Sequence, residues 1–371
     1  MEGEGNTRKR VRVALVAPSF RYVGGPAVQA DLLIRLWRDD PDVEMSLLSI
    51  DPPLPGFLAW AANVRGLRTI LREPIYLASL WRGIQRADIV HIFSTSYWSF
   101  LIAAAPAWLI ATLLGRKSLL NHRSGDARDH LRRFRSGTFV LSRADELVVP
   151  SNYLVDVFQE FGLRAVVVPN LVDLSQFHYR ERHPLRPRLV CTRGFSACYG
   201  VDVVVRAFAE IQRLVPEAKL DLVGEGPLES QIRQLVADMK LTGVNFAGVA
   251  SRQKIGECYD QADIFINASS LDNMPVSVIE AFRAGTPVVT TAPESMPWLV
   301  EHERTGLLSE VGDERALAAN VMRLLQDSAL AERLARNAYH QSGKYTWGVV
   351  REQWLNVYRR MLEPCGVARA A

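Results

Sequence analysis

The sequence is poor in cysteine, and none of its cysteines stands in a metal-binding pattern. The 371 residues include Cys191, Cys198, Cys258 and Cys365, which form no CxxC pair and lie too far apart to predict a metal cage. Without a disulfide framework a reducing compartment is favoured, so we expect a cytoplasmic protein. Residues 8–10 are basic, but no apolar signal-peptide core follows them, and no secretory leader is predicted.

Two sequence motifs are also absent, and each absence argues against one class of function. The first strand-like run, 11–17, leads into adjacent glycines but not into a GxGxxG fingerprint, which weakens an interpretation as an NAD-dependent oxidoreductase. No nucleic-acid-binding motif accompanies the basic residues, so nucleic acid is not an expected partner. No tract of low complexity is present, and we expect disorder only in residues 1–10 and 365–371.

One long apolar segment requires a test for membrane insertion. Residues Trp98 to Leu114 carry no charge, and their length is at the lower limit for crossing a bilayer. Pro106 lies at the centre of the segment and a strand-like run follows it. We therefore favour a buried or interfacial helix over a transmembrane span.

The net charge of +4 is concentrated in one run of the first half. Between Arg116 and Arg143 only Asp126 and Asp129 are acidic. The basic members are Arg116, Lys117, Arg123, Arg128, Arg132, Arg133, Arg135 and Arg143. The run is either an ordinary solvated face or a surface that attracts an acidic partner, such as anionic lipid or a phosphorylated substrate.

The length and the periodicity of the chain predict two α/β domains. A chain of 371 residues exceeds what one hydrophobic core usually serves. Strand-like runs alternate with helical patterns, which is typical of doubly wound, Rossmann-like parallel sheets with a cleft between two such domains. Predicted strands cover residues 11–17, 45–50, 89–93, 118–122, 146–149, 166–169, 188–192, 220–223, 245–247, 264–267, 287–290 and 307–309.

We place the first domain at residues 1–173, a linker at 174–187 and the second domain at 188–345. A last helix, 347–362, carries large apolar residues on one face, including Trp347, Trp354 and Tyr358. Such a face needs an apolar partner. We expect this helix to return to the first domain.

The stretch from Ser269 to Thr291 contains two carboxylates around a predicted helix start. Asp272 precedes Pro275, a residue suited to the first turn of a helix, and Glu280 lies about one turn further on. Free N–H groups at Val276 and Ser277 would favour a diphosphate, and a carboxylate accepts hydrogen bonds from the vicinal hydroxyls of a sugar. Alternatively, Asp272 caps the helix and Glu280 is a surface acid.

This pattern resembles the donor-binding domain of family 4 glycosyltransferases. Asp272, seven intervening residues, Glu280 and then Pro287-Val288-Val289 match the family signature, with Asp where the family usually has Glu. The resemblance implies the B-type glycosyltransferase fold, retention of anomeric configuration, and no metal ion or cofactor. It implies that Glu280 holds the ribose hydroxyls and Asp272 the transferred sugar. The backbone along the diphosphate would be that of Asn273, Met274, Pro275, Val276 and Ser277.

The same resemblance continues through residues 191–249. Arg193 matches an arginine that neutralises the donor diphosphate, but Tyr199 stands before Gly200 where a lysine is usual. Losing that charge should lower the rate, unless another cation or the phenolic O–H substitutes. Turns that contain Gly224 and Gly226, and the loop at Val249, resemble those beside the donor and its base, although glycine after a strand often serves geometry alone.

In the first domain the resemblance points to two places. Gly24 and Gly25 would form a loop that reaches the donor phosphates or the acceptor, with a plain helix-entry turn as the alternative. The family commonly has a histidine near the transferred sugar; His122 is the nearest candidate, although Arg123 can occupy that register. His122 can equally be structural.

Taken together, the sequence predicts a retaining hexosyltransferase that uses a UDP- or GDP-sugar. We expect a lipid-linked or polysaccharide acceptor, with the enzyme peripheral on the inner face of the membrane and the run from Arg116 to Arg143 against anionic lipid. The alternative is a catalytically impaired, nucleotide-sugar-binding subunit of a glycosyltransferase complex. The sequence does not identify the base, the sugar, the acceptor or the oligomeric state.

Overall fold

A computed structural model describes residues 10–19, 25–56, 58, 60, 64, 66–251 and 254–363. The chain forms two compact units. The first unit comprises Met1–Pro169 with Val350–Ala371, and the second comprises Asn170–Val349.

The first unit is built on one parallel sheet. Its strands are β1 (Val11–Ala17), β2 (Val43–Ser49), β3 (Ile89–Ser94), β4 (Lys117–His122), β5 (Glu146–Val149) and β6 (Val166–Val167). They lie in the order β2-β1-β3-β4-β5-β6 and all pair in parallel. Every residue of β3 is buried, as expected for a central strand with helices on both faces.

The helices of the first unit connect these strands. They are α1 (Gly25–Leu36), α2 (Leu67–Ile84), α3 (Tyr97–Ser99), α4 (Ala105–Leu113), α5 (Ala127–Arg133), α6 (Arg135–Leu141) and α7 (Asn152–Gln159). A single π-helical turn, Phe100–Ala104, joins α3 to α4. None of the described helices is both long enough and apolar enough to cross a bilayer.

The C-terminal helix α14 (Trp347–Leu362) packs in the first unit. Tyr358 Oη lies 2.9 Å from His91 Nδ1 on β3, and the ring of Trp354 lies 4.6 Å from the His91 ring. The Arg351 guanidinium donates to the Asp40 carboxylate at 2.6 Å. The predicted return of the last helix is confirmed.

The second unit repeats the same architecture. Its strands are β7 (Arg188–Cys191), β8 (Lys219–Val223), β9 (Val244–Gly248), β10 (Ile264–Asn267), β11 (Val288–Thr291) and β12 (Leu307–Ser309). Its helices are α8 (Val201–Leu214), α9 (Glu229–Asp238), α10 (Ile255–Gln261), α11 (Val276–Arg283), α12 (Glu314–Gln326) and α13 (Ser328–Ser342). The parallel strands lie in the order β12-β11-β10-β7-β8-β9.

The segment predicted as a linker is fixed on the second unit. Arg180 and Arg186 both pair with the buried carboxylate of Asp263, at 2.7 and 2.8 Å. The Arg182 side chain is buried and donates to the carbonyl oxygens of Ala262 and Tyr259. Asn170, the first residue of the second unit, donates to the Met274 carbonyl oxygen of the same unit.

Candidate functional site

Two loops of the second unit meet where its strand order reverses. The chain runs outward from β7 through β8 to β9, and then returns to β10 on the other side of β7. In an open parallel sheet this switch point forms a crevice beyond the carboxyl ends of the strands. Arg193 follows β7 and Asp272 follows β10, so both lie at this crevice.

The structure brings Arg193 and Asp272 together. The Arg193 Nη2 group donates to Asp272 Oδ2, and Nη1 donates to Ser277 Oγ at 3.2 Å. Burial lowers the pKa of the guanidinium, but the charge of Asp272, its hydrogen bond and the neighbouring Tyr199 and Cys191 side chains together outweigh burial and raise the pKa above its ordinary value. A stable cation is therefore held at the switch point, and a phosphoryl group there would compete with Asp272 for it.

Tyr199 contributes its ring to this cation. The guanidinium carbon of Arg193 lies 4.0 Å from the centre of the Tyr199 ring, which is within the range of a cation–π contact. Burial raises the pKa of the Tyr199 phenol, so the side chain stays neutral at pH 7. Tyr199 thus supports the arginine and supplies no second positive charge.

Glu280 lies one turn inside α11, in a hydrogen-bonded group that is linked to Arg193 through Ser277. The Ser277 carbonyl oxygen lies 2.9 Å from the Tyr259 hydroxyl. The hydroxyl of Tyr259 donates to Glu280 Oε2 at 2.9 Å and lies 2.7 Å from Thr192 Oγ1. Burial, and then the charge of Glu280, raise the pKa of Tyr259 well above its ordinary value. The phenol therefore remains a donor that orients the carboxylate. Sequence reasoning missed Tyr259, because no motif marks its position on α10.

Helix α11 begins directly after the proline that the sequence placed at the helix start. Pro275 has φ −66° and ψ 118°, so it is the extended residue before the helix, and Val276 is the first helical residue. Asn170, also missed by sequence reasoning, donates from Nδ2 to the Met274 carbonyl oxygen at 2.9 Å and fixes this loop.

Asp272 and Asn273 lie in the loop that precedes α11. The backbone N–H of Asn273 donates to Asp272 Oδ1 at 2.9 Å, and Ser295 Oγ donates to the Asp272 carbonyl oxygen at 2.7 Å. Asp272 is not the N-cap of α11, because Pro275 occupies that position. Both its carboxylate oxygens are bonded within the site.

Three glycines allow the loops to approach each other. Gly200 has φ 59° and is the N-cap residue before α8, and a Cβ there would lie 2.2 Å from the Ala268 carbonyl oxygen. Gly224 has φ 150°, and a Cβ there would lie 2.2 Å from the Arg193 carbonyl oxygen. Gly226 is similarly close to the backbone of Phe195. These glycines shape the loop of Arg193 and Tyr199 by close backbone contact.

Val249 lies further along the same edge of the sheet. It follows β9 and is 46% exposed, and the N–H of Gly224 donates to the carbonyl oxygen of neighbouring Gly248 at 2.8 Å. Val249 therefore lies beside the β8 turn but offers only an apolar surface. Whether it contacts a base stays a prediction.

The candidate site residues of the first unit differ in how deeply they are buried. Gly24 lies outside the described residues. Gly25 is the exposed first residue of α1, and a Cβ there would meet open space. His122 is fully buried and lies 3.1 Å from Ser94 Oγ, and burial lowers its pKa to about 3. Arg123 is half-buried above the Phe93 ring, and burial lowers its pKa to about 9.

Because burial lowers its pKa far below 7, the His122 imidazole is neutral near pH 7. Its position at the carboxyl end of β4 agrees with the sequence prediction, whereas its catalytic role stays a prediction. Within the described ranges, no group of three or more His, Cys, Asp or Glu side chains is arranged to hold a metal ion.

Comparison with known proteins gives matches over both units. A family model described as glycosyl transferases group 1 matches residues 182–341, and one described as glycosyltransferase family 4 matches residues 23–176. D-inositol 3-phosphate glycosyltransferase of Nocardioides sp. is 28% identical over 336 residues, which are 81% of this chain and 73% of that protein. Phosphatidyl-myo-inositol mannosyltransferase of Mycobacterium leprae is 28% identical over 54% of each chain.

A solved structure agrees with the fold. The crystal structure of HepE from Anabaena in complex with UDP-glucose gives a TM-score of 0.74 at 15% identity, and covers 95% of this chain and 100% of that chain. At this identity the likeness is evidence for the fold alone. Together with the two six-stranded parallel sheets it confirms the predicted B-type glycosyltransferase fold class.

Proposed function

Because this chain belongs to the family 4 glycosyltransferases, we propose that its second unit binds a UDP- or GDP-sugar and that the protein transfers the hexosyl group with retention, without a metal ion. The observation that carries the proposal is the cation of Arg193 at the switch point, bonded to Asp272 and Ser277. The diphosphate would lie against Arg193 and the start of α11. Glu280, held by Tyr259, would accept from the ribose hydroxyls.

A thermal-shift screen of UDP- and GDP-sugars tests donor binding. A ligand at 100 times its Kd stabilises the folded protein by ~2.7 kcal/mol. We expect Glu280→Ala to abolish the shift for the correct ligand, because the ribose hydroxyls lose their acceptor. Glu217→Ala, at an exposed position of the same unit, is the matched control. A full shift in Glu280→Ala, or no shift with any sugar nucleotide, would contradict the proposal.

The stereochemistry and the metal requirement need separate assays. Proton NMR of the first product formed gives the anomeric configuration, and retention is expected. A rate unchanged by a chelator is expected if Arg193 and the α11 start together stabilise the leaving diphosphate. An inverted product would overturn the mechanistic part and leave donor binding intact.

We infer a lipid-linked or polysaccharide acceptor at the inner face of the membrane, bound by the first unit. Support comes from the name of the mycobacterial mannosyltransferase, which acts on a phosphatidylinositol, and from the run of Arg116 to Arg143. Part of that run is internally neutralised, since Lys117 pairs with Asp145, Arg128 with Glu160 and Arg133 with Asp129. Incubation of labelled donor with membrane lipids and with soluble glycans separates the two acceptor classes.

The second candidate function is a nucleotide-sugar-binding subunit with impaired catalysis. Tyr199 favours it, because the ring supports Arg193 but adds no charge for the departing diphosphate. Donor binding without transfer or donor hydrolysis, in the presence of crude membrane acceptors, would establish this alternative. Transfer by the purified chain would exclude it.

A further inference from the structure

Helix α2 of the first unit exposes a stripe of large apolar side chains. Ile70, Leu77 and Trp81 are 69%, 38% and 45% exposed. Their spacing of seven and four residues puts them on one face of the helix. Tyr76 and Leu80 lie on another face and are buried in the core.

The helical segment of α3, the π-turn and α4 exposes a second stripe. Trp98 is 70% exposed, Leu109 is 49% exposed and Leu113 is 67% exposed. Ala107 and Ile110 of the same segment are buried. One face of the uncharged segment from Trp98 to Leu114 therefore packs in the core, and the other face is exposed to solvent.

The two stripes belong to neighbouring helices. The hydroxyl of Tyr76 on α2 donates to the Ala103 carbonyl oxygen at 2.7 Å. The centre of the Trp108 ring on α4 lies 6.3 Å from the centre of the Phe139 ring. We call the exposed side chains of Ile70, Leu77, Trp81, Trp98, Leu109 and Leu113 the α2–α4 apolar surface.

The charges around this surface are mainly positive. Helix α2 contains Arg68, Arg72 and Arg82 against one acid, Glu73. Near its end the Arg116 guanidinium donates to the Gln85 carbonyl oxygen at 2.6 Å. Beyond Phe139, the Arg143 guanidinium lies 3.8 Å from the ring of Phe139. The surface is thus apolar in its stripes and basic around them.

We propose that the α2–α4 apolar surface docks on a lipid bilayer that contains anionic lipids. Apolar side chains would enter the boundary between headgroups and acyl chains, where tryptophan is favoured. The surrounding arginines would reach lipid phosphates while their stems cover apolar atoms. This inference rests on the proposed membrane location and is independent of the transfer reaction.

The charge pattern favours a bilayer over a second copy of the chain. A two-fold interface brings the same patch of both protomers together. Here it would set arginines against arginines, and like charges across an interface are unfavourable. An anionic membrane provides the opposite sign around an apolar interior.

Vesicle co-sedimentation of the full chain tests the docking. Ile70→Ser with Leu113→Ser removes the most exposed aliphatic side chain of each stripe. Because the two serines no longer bury apolar side chains in the lipid, we expect the partition coefficient of the variant on vesicles of phosphatidylcholine and phosphatidylglycerol to be about tenfold lower or more. Leu214→Ser with Val311→Ser is the matched control, since these exposed apolar residues lie in the second unit; its binding should equal that of the wild type.

A salt series distinguishes apolar docking from binding by charge alone. A rise in salt to about 1 M shortens the screening length to about 3 Å. We expect wild-type binding to fall, because the contacts of the arginines with lipid phosphates are screened, but not to be abolished, because apolar burial is not screened. Complete release by salt, or unchanged binding of the Ile70/Leu113 variant, would overturn the proposal. So would a wild type that binds no vesicle.

Self-association is the remaining outcome to be measured. Sedimentation velocity of the wild type and the Ile70/Leu113 variant is run without lipid. A wild-type dimer that the variant abolishes would assign the surface to a second copy and overturn the membrane proposal. The thermal shift with sugar nucleotide is recorded on the same samples and should be unchanged by these substitutions, so failure of docking and failure of donor binding are distinguishable.

Discussion

At the scale of single residues, the site depends on how one cation is held. Arg193 has three partners: the carboxylate of Asp272, the hydroxyl of Ser277 and the ring of Tyr199. The ring faces the guanidinium, and burial keeps the phenol neutral. The geometry therefore favours the aromatic face of Tyr199, and not its hydroxyl, as the group that positions Arg193.

This arrangement predicts different effects for two substitutions of Tyr199. Tyr199→Phe keeps the ring and should leave nucleotide affinity within about twofold, whereas Tyr199→Leu removes a cation–π contact of about 1 kcal/mol and should weaken affinity about fivefold. Titration calorimetry with UDP and GDP measures both. Equal losses in the two variants would assign the role to the hydroxyl.

The substitution Tyr199→Lys tests whether the site lacks a second positive charge beside Arg193. If the leaving diphosphate lacks a second cation, the lysine should raise kcat for transfer more than it changes KM, because the added charge acts as the bond breaks. A fall in kcat would mean that the ring contact outweighs the extra charge. Either result leaves Arg193 as the principal cation.

At the scale of elements, the segment after the first unit is fixed by a buried carboxylate. Asp263 follows α10 and is 1% exposed, and it accepts hydrogen bonds from Arg180 and Arg186. Burial raises the pKa of this carboxyl, but those hydrogen bonds outweigh burial and hold the pKa below its ordinary value. The ion cluster thus joins the entry segment to the second sheet, beside the strand that leads to Asp272.

Asp263→Asn should lower the free energy of unfolding by about 3 kcal/mol at neutral pH, because arginines lose their buried counter-ion. A lowered pKa in the folded state stabilises the fold above the pH where the unfolded carboxyl titrates. This contribution disappears as the pH falls through the folded pKa. The difference between wild type and variant should therefore shrink below about pH 4.

Urea unfolding across pH measures that difference. Asp238→Asn, at an exposed position on α9, is the control and should change stability by less than about 0.5 kcal/mol. A loss in Asp263→Asn that is constant from neutral to acid pH would show that packing, and not charge, fixes the segment.

Elements differed in how well sequence patterns predicted them. All twelve predicted strands are present, because buried β-branched runs bounded by turns are a strong local signal. Helix α2 was not predicted. It contains Pro74 and exposes apolar side chains on one face, so neither its composition nor its polarity follows the pattern of an ordinary surface helix.

At the scale of the whole molecule, the last helix belongs to the first unit although it follows the second in sequence. Trp354 is 1% exposed and lies against His91, whose imidazole is bonded to Tyr358 on the same helix. Burial lowers the pKa of His91 well below its ordinary value, so the ring stays neutral in this contact. The core of the first unit therefore includes side chains of helix α14.

Trp354→Ala should lower the free energy of unfolding of the first unit by about 4 kcal/mol, since it leaves a cavity in a packed core. Hydrogen exchange should accelerate in β1, β3 and β4 and stay unchanged in β7 and β10. Val349→Ala is the control, because that residue is 43% exposed at the start of the same helix. Equal acceleration in both units would contradict a local role for this helix.

The sequence alone determined the strands, the parallel α/β class and the motif around Asp272 and Glu280, because each is written in contiguous residues. Only the tertiary structure decided that Arg193 pairs with Asp272, 79 residues away, that Tyr259 orients Glu280, and that one side of α2 and α4 stays exposed. Those outcomes depend on strand order and helix packing, which join distant residues and which local propensity does not encode.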